Sequence, residues 1–432
     1  MKRRIILWFG VLLLAKAVVA ADSDLPHTFA ELNHWYAEPP AGSNAATIFL
    51  EGFAALKITD ADTTSTNLPL VGEGALLRPD KPVPSETKAA MASFIQRNRS
   101  AMVFFNQAAQ LQQSRYPIDL NQGQMPQLPH LAKLRTVAQF LEISAVSHAA
   151  AGQGQAAGND LLVSLALARS LDSEPVLISQ LVRVAFVDMT VGGLEQVFNR
   201  VMLPAKTLNQ LAESFQQAEK REAAGYGFTR ALIGERTTDL SAFDMSPEQY
   251  LNVPANTTPE EREQLEAKIK KNLAEDRQFC EVTFNQALVV RNEPFPQRLT
   301  QEDDLFSHAE TVATNKNLYL SGIFFDALNK VEIREATCLA NLRLAQTAIS
   351  LEKFRVDHAD HYPESLNELA PNYLKALPTD PFDGRTLQYH KAGNGYVLYS
   401  IGPNLKYDGG KRGNGQKSDI VFTVVAPKES HL

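Results

Sequence analysis

The C-terminal part of this 432-residue chain contains the pattern that most constrains its fold. From Cys338 to Phe354, apolar residues recur at helical spacing along one wide face, which predicts an amphipathic helix. The helix should end before Pro363, because the residue that precedes a proline is pushed out of the helical region. Further on, the segments 396–400 and 420–425 are rich in aromatic and β-branched residues and predict two paired strands. The sequence therefore predicts a long helix on a short antiparallel sheet.

A long polar loop, from Ile401 to Asp419, separates the two predicted strands. Loops of this length are usually functional or disordered. The loop contains Asn404, Asp408 and Asp419, together with glycines that leave backbone carbonyl groups accessible. Oxygen ligands on a flexible loop suit a hard cation such as calcium. A solvated loop, in which Asp408 and Gly409 only make a turn, is the structural alternative, and the residues alone leave both open.

Several short blocks in this region together resemble the globular part of the major pseudopilin of type II secretion. Their order and spacing are more specific than any single block. The blocks are Phe354-Arg355-Val356-Asp357, Tyr362-Pro363, Leu377-Pro378-Thr379-Asp380-Pro381-Phe382, Tyr389, Tyr396-Val397-Leu398-Tyr399-Ser400-Ile401-Gly402 and Ser418-Asp419-Ile420. The resemblance implies a long helix packed on a small antiparallel sheet, with a calcium-binding loop before the final strand.

The resemblance also implies calcium ligands. Asn404 stands where the family often has an acidic residue, and Asp419 stands at the family's Asp-Ile position. Asp408 lies in an insertion and is expected to substitute for the altered Asn404. Pseudopilins begin with a basic leader, a Gly-Phe-Thr-Leu-x-Glu junction and an apolar stem helix, and none of these precedes Cys338. The chain is therefore expected to carry the pilin head as an appended module and not to polymerise.

Residues 1–21 have the pattern of a secretory signal peptide. Three basic residues precede the apolar run Ile5–Ala15, which is too short to span a membrane comfortably, and Val19–Ala21 supplies small residues before a cleavage site. An uncleaved N-terminal anchor is the alternative. No later segment is expected to cross a bilayer, so the sequence predicts a periplasmic or extracellular bacterial protein. The net charge of −7 and the lack of a dense basic stripe argue against nucleic acid as a partner.

Helical periodicity dominates the rest of the chain, and the prediction is a mainly α protein. An irregular N-terminal segment (22–84) precedes an irregular α-helical domain (85–330), which is followed by a small α+β pilin-like domain (331–432). The predicted helices of the middle domain are 85–114, 131–151, 159–171, 176–198, 206–224, 259–290 and 310–330, with loop-like sequence at 234–262. Export would permit a disulfide between Cys280 and Cys338, and two buried thiols are the alternative.

The sequence contains no HExxH, CxxC, GxSxG or Walker motif. His358 and His361 are spaced to share a divalent metal on one helix face, although a hydrated helix end is the commoner meaning. Five polar residues lie in or beside apolar helices. Two interpretations are open: they line a cleft, or they form ion pairs that fix the register between helices, which is the commoner meaning of such residues. This set is His130, Arg135, Arg169, Glu174 and Arg183.

These observations predict an exported, non-enzymatic binding or scaffold protein of the cell envelope, with a calcium-stabilised pseudopilin-like head. A groove between its helices would take a peptide, a glycan or another envelope protein. The alternative is an exported hydrolase with an acidic cleft in the helical domain, which needs two carboxylates facing one cleft.

Overall fold

The computed structural model describes residues 25–120, 126–246, 257–328, 330–413 and 418–425. The proposed signal peptide, 1–21, lies outside these residues. The α-helices of the described residues are, in chain order, α1 (Phe29–Trp35), α2 (Ala45–Ala54), α3 (Asp60–Thr63), α4 (Ser85–Arg97), α5 (Arg99–Ala109), α6 (Pro129–Ala150), α7 (Gly154–Arg169), α8 (Leu177–Phe198), α9 (Ala205–Ala223), α10 (Tyr226–Ala242), α11 (Pro259–Val290), α12 (Gln297–Lys316), α13 (Tyr319–Leu328) and α14 (Val331–Asp357).

A small antiparallel sheet follows α14 in the described C-terminal residues. Its strands are β1 (Gln388–Ala392), β2 (Gly395–Ser400) and β3 (Ile420–Val424), and β2 is central. A Cβ atom at Gly395 would lie 1.8 Å from the carbonyl oxygen of Val424, so this close strand pairing requires glycine. The predicted fold class is confirmed: the protein is mainly α, with a small α+β region near its C-terminus.

Helix α14 connects the helical part of the fold to the sheet. It contacts α8 and α9 as well as β2 and β3. Leu342 of α14, Phe186 of α8 and Leu398 of β2 belong to one continuous cluster of buried apolar side chains. Because each fully buried large side chain contributes about 1.5–3 kcal/mol, this shared core couples the sheet energetically to the helices. The predicted boundary at 330/331 coincides with the start of α14, and the division into separate domains stays a prediction.

A second apolar cluster lies around Phe325, between α10, α11, α12 and α13. We call these four helices the outer layer. Cys280 belongs to this second cluster and Cys338 to the main one, and both are buried free thiols. The disulfide that the sequence left open is therefore not formed. Burial raises the pKa of both thiols well above its ordinary value, which disfavours the reactive thiolate.

The sequence offers N-cap residues at Ser85, Thr258 and Ser365, and the structure confirms the last two; Ser85 is instead the first residue of α4, whose N-cap is Pro84 and has no side-chain cap. Thr258 caps α11 through a capping box with Glu261, and Pro259 occupies its first turn. Ser365 and Glu368 form a second capping box at a short 3₁₀ helix, Leu366–Leu369. These signals involve residues three apart, so they depend little on the rest of the fold.

Some predicted boundaries were wrong. The loop-like assignment of 234–262 fails at its start, because residues up to Ala242 belong to α10; residues 247–256 lie outside the described part. The predicted loop begins at Gly234, but this glycine lies inside α10. A Cβ atom at Gly234 would lie 1.8 Å from the Pro175 carbonyl oxygen, so glycine is needed there for the contact between the helix and the loop. The single helix 310–330 is two helices separated at Asn317, which has φ 57°. The edge strand β1 was not predicted, since its sequence is largely polar.

Helix α8 is long and apolar enough to cross a membrane, by length and composition, which the sequence analysis did not anticipate. In the fold, 56% of its most apolar window is buried. A core helix passes the same test of length and composition. Helix α8 packs against α6, α7 and α14, as a core helix does.

Candidate functional site

The three predicted ligands lie together in the loop between β2 and β3. The backbone N–H of Gly410 donates to Oδ2 of Asp419 at 2.7 Å, and that of Asp408 is 3.4 Å from Oδ1 of the same carboxylate. Nδ2 of Asn404 donates to Oδ2 of Asp408 at 2.8 Å. Hydrogen bonds therefore connect the three residues, with Asp408 linked to Asn404 through its side chain and to Asp419 through its backbone N–H. Residues 414–417 of the loop lie outside the described part.

Backbone geometry supports this grouping. Gly402, Leu405, Gly409 and Gly410 all have positive φ, which bends the chain sharply within the loop. Asp419 is only 5% exposed, although it stands beside a polar loop. Carboxylate and amide oxygens are the donors that calcium prefers, so the residue types fit this ion. The described residues hold no group of three or more His, Cys, Asp or Glu placed to bind a metal, so an ion here needs Asn404 and backbone carbonyls as well.

The start of the loop is anchored by Asp380, which belongs to one of the blocks that resemble the pseudopilin head. Its Oδ2 accepts from the Ile401 N–H at 2.9 Å, and its Oδ1 accepts from Phe382 N–H and Ser400 Oγ, each at 3.0 Å. Burial raises the pKa of Asp380, while these hydrogen bonds lower it. The carboxylate thus fixes the end of β2, where the loop leaves the sheet.

The other end of the loop is fastened to the helical part by Glu195 of α8. Its carboxylate accepts from Arg412 Nη2 at 2.6 Å and from the Thr423 N–H at 2.8 Å. Asn199, one helical turn later, bonds the Thr423 carbonyl at 2.8 Å and the Val425 N–H at 2.9 Å. Glu195 was missed, although an acidic residue inside an apolar helix is a signal that points to a buried partner.

His358 and His361 do not lie on one helix face as predicted, because the helix α14 ends at Asp357. Nδ1 of His358 is 2.8 Å from the Phe354 carbonyl oxygen, and its ring stacks on Phe354. Nδ1 of His361 is 2.7 Å from the carbonyl oxygen of Ala359. Each imidazole thus bonds to local backbone at the end of α14, as the hydrated-helix-end interpretation expected.

The five polar residues singled out in the helical part divide into three groups. His130 and Glu174 form a buried pair, with His130 Nε2 3.0 Å from Glu174 Oε1, and the imidazole stacks on Tyr116. Arg135 is exposed. Arg169 and Arg183 line a cleft of about 400 Å³ between α7, α8, α9 and α14. Only this last group meets the expectation of a cleft.

That cleft is predominantly basic. Its charged lining consists of Arg169, Arg183, Lys220 and Arg221 with a single carboxylate, Asp172. Lys220 and Arg221 were missed by the sequence analysis because they lie at the charged end of an ordinary amphipathic helix, α9. This lining lacks the two facing carboxylates that the hydrolase alternative requires.

A larger cavity of about 560 Å³ lies in the outer layer, between α11, α12 and α13. Glu310 and Asp326 both line it, with Lys268 and Tyr319. Two carboxylates on neighbouring helices meet the minimal composition of a hydrolytic site. The hydrolase alternative therefore puts its active site in this cavity.

Comparisons with known proteins add no relative: no protein family, curated protein or solved structure matches this chain.

Proposed function

We propose that this chain is an exported, non-enzymatic binding or scaffold protein of the bacterial cell envelope. Its C-terminal helix and sheet act as a pseudopilin-like head, and the helical part presents the binding surface. The partner is a peptide, a glycan or another envelope protein, in the periplasm or outside the cell. The signal-like residues 1–21 and the head-like sequence blocks support this proposal.

The observation that carries the proposal is the meeting of Asn404, Asp408 and Asp419 beside the sheet. In this proposal calcium is held by these side chains with backbone carbonyls of the same loop. The ion neutralises the two carboxylates and pins the loop between its anchors at Asp380 and Glu195. Calcium would then stiffen the surface where the head meets the helical part.

Thermal melting tests the calcium site. We expect Asp419→Asn to lower the melting temperature by several degrees more in millimolar calcium than in chelator, because the lost backbone hydrogen bond acts in both buffers and the lost charge matters most when the ion is bound. Asp383→Asn is the matched control, since Asp383 belongs to the head but lies outside the loop and an amide keeps its acceptor for the Arg385 N–H. Equal shifts for Asp419→Asn in both buffers would show that the residue has only a structural role.

A hydrolase is the second candidate function, favoured by the presence of Glu310 and Asp326 in one cavity. It requires that the purified chain hydrolyse a glycan and that Glu310→Gln abolish the reaction. No turnover across a panel of envelope glycans would remove this candidate.

A further inference from the structure

The basic cleft between α7, α8, α9 and α14 has an apolar floor. Leu162, Leu165, Val187 and Leu342 line it together with the cationic groups. Its volume of about 400 Å³ falls in the usual range of small-molecule sites. Apolar walls with a few convergent polar groups are the common composition of such sites.

The cations of the cleft outnumber the carboxylates that pair with them. Nε of Arg221 donates to Asp172 at 2.5 Å, and Nη1 of Arg183 pairs with Glu222 at 2.7 Å behind the cleft. Within the described part of the chain, Arg169 and Lys220 make no ion pair. The chain as a whole carries a net charge of −7, so this local excess of positive charge is unlike the rest of its composition.

Arg183 has a buried hydrogen-bond donor without an acceptor. Its side chain is 6% exposed, and its Nη2 atom makes no hydrogen bond. Nε of the same group donates to Gln180 at 2.7 Å, so the guanidinium is held in a fixed orientation. A buried donor without an acceptor costs about 1–3 kcal/mol, and Arg183 adds to the positive charge that lines the cleft.

Arg169 is also preorganised. Its Nη2 donates to the carbonyl oxygens of Ala109 and Leu111, each at 3.0 Å, which fixes the plane of the guanidinium. Burial lowers the pKa of this arginine, Asp172 raises it and Arg221 lowers it. A charged group that is partly desolvated and lacks a carboxylate partner interacts strongly with an incoming anion.

We propose that this cleft binds an apolar acid, with the carboxylate held at Arg169 and Lys220 and the hydrocarbon part on the leucine and valine floor. This assignment names the ligand class for the binding role proposed above and rests on that role. A free fatty acid and the C-terminus of an apolar peptide share this chemistry. Asp172 excludes a second negative charge near Arg221, which favours a single carboxylate over a polyanion.

Calorimetric titration of the full chain with octanoate tests the proposal. We expect octanoate to bind and 1-octanol to bind at least about tenfold more weakly, since a hydrogen bond to a charged group contributes about 1.5–3 kcal/mol. Acetyl-Leu-Leu and its C-terminal amide form the peptide arm. Binding of octanoate alone assigns a fatty acid, and binding of the free peptide acid but not the amide assigns a peptide terminus. Binding of neither acid, or equal binding of octanoate and octanol, overturns the proposal.

Two variants locate the carboxylate. Arg169→Gln should weaken binding of the acid about tenfold or more, and Arg169→Lys should restore part of it. Lys220 is exposed, so Lys220→Gln should fold normally and weaken binding a few-fold. Lys206→Gln, the same substitution at an exposed position of α9 away from the cleft, should change nothing. Wild-type affinity in Lys220→Gln overturns this placement even if Arg169→Gln does not fold. The calcium experiment concerns a different region, so the two proposals fail separately.

Discussion

Glu335→Gln is expected to destabilise the protein by about 3–5 kcal/mol, because it breaks a buried ionic network by removing one partner. Glu335 lies on α14 and is fully buried. Its carboxylate accepts from Arg291 Nη1 at 2.6 Å and Nη2 at 2.5 Å, and from Arg298 Nη1 at 3.1 Å. In the described structure the variant leaves Arg291 paired with Glu302 and removes the carboxylate that pairs with Arg298. This network joins the outer layer of helices to α14.

Urea unfolding at neutral pH measures this effect. The matched control is Glu275→Gln, which removes an exposed pair with Lys316 whose separation is 2.6 Å. An exposed ion pair contributes about 0–1 kcal/mol, so the control should lie within that range. A change below 1 kcal/mol for Glu335→Gln would mean that the outer layer is not fastened to α14 through this carboxylate.

Glu332→Gln should have the opposite effect, although Glu332 lies only one turn before Glu335. Glu332 is 1% exposed, and its Oε1 atom has no hydrogen-bond partner. Burial raises the pKa of Glu332 to about 7; its own backbone N–H lowers it, and the nearby carboxylates Glu302, Asp303 and Glu335 raise it. The folded protein therefore holds a proton that the unfolded chain releases near pH 4.5.

The sign of the pH dependence follows from linkage. Between pH 4.5 and about 7 the folded state binds more protons at Glu332 than the unfolded state, so this residue lowers stability as pH rises through that window. A neutral glutamine removes this penalty. The variant should gain about 3 kcal/mol at pH 8 and about 1 kcal/mol at pH 5, at 1.36 kcal/mol per pKa unit. Urea unfolding at both pH values measures the difference, and equal gains at the two values would contradict the assignment.

Local features of this fold were predictable from sequence because they involve residues close in the chain. The capping pairs at Thr258 and Ser365 and the aromatic and β-branched residues of β2 are of this kind. The position of α14 was not predictable. This helix packs against α8 and α9 as well as against the sheet, and the periodicity of its apolar residues does not indicate which element covers each face. Helix α10 was partly missed for the same reason: its buried residues occupy more than one face and weaken the amphipathic signal.

In the candidate sites, too, features of residues close in the chain were predictable, and contacts between distant residues were not. The grouping of Asn404, Asp408 and Asp419 was predicted from their place in one polar loop and from the family resemblance. The pairing of Glu195 with Arg412 joins residues 217 positions apart, and no local pattern indicates such a partner. The basic cleft combines side chains of α7, α8 and α9 that are each ordinary in their own helices. Their excess of positive charge exists only in the folded arrangement.

Calcium titration by calorimetry, on the chelator-treated full chain, tests the central claim most directly. The account predicts one ion per chain, with a dissociation constant in the range of about 10⁻⁴–10⁻³ M that is typical of extracellular calcium modules. Asp419→Asn should abolish the heat of binding, and Asp383→Asn should leave it unchanged. A wild-type chain that takes up no calcium at millimolar concentration, or an Asp419→Asn variant that binds it as tightly, would contradict the account.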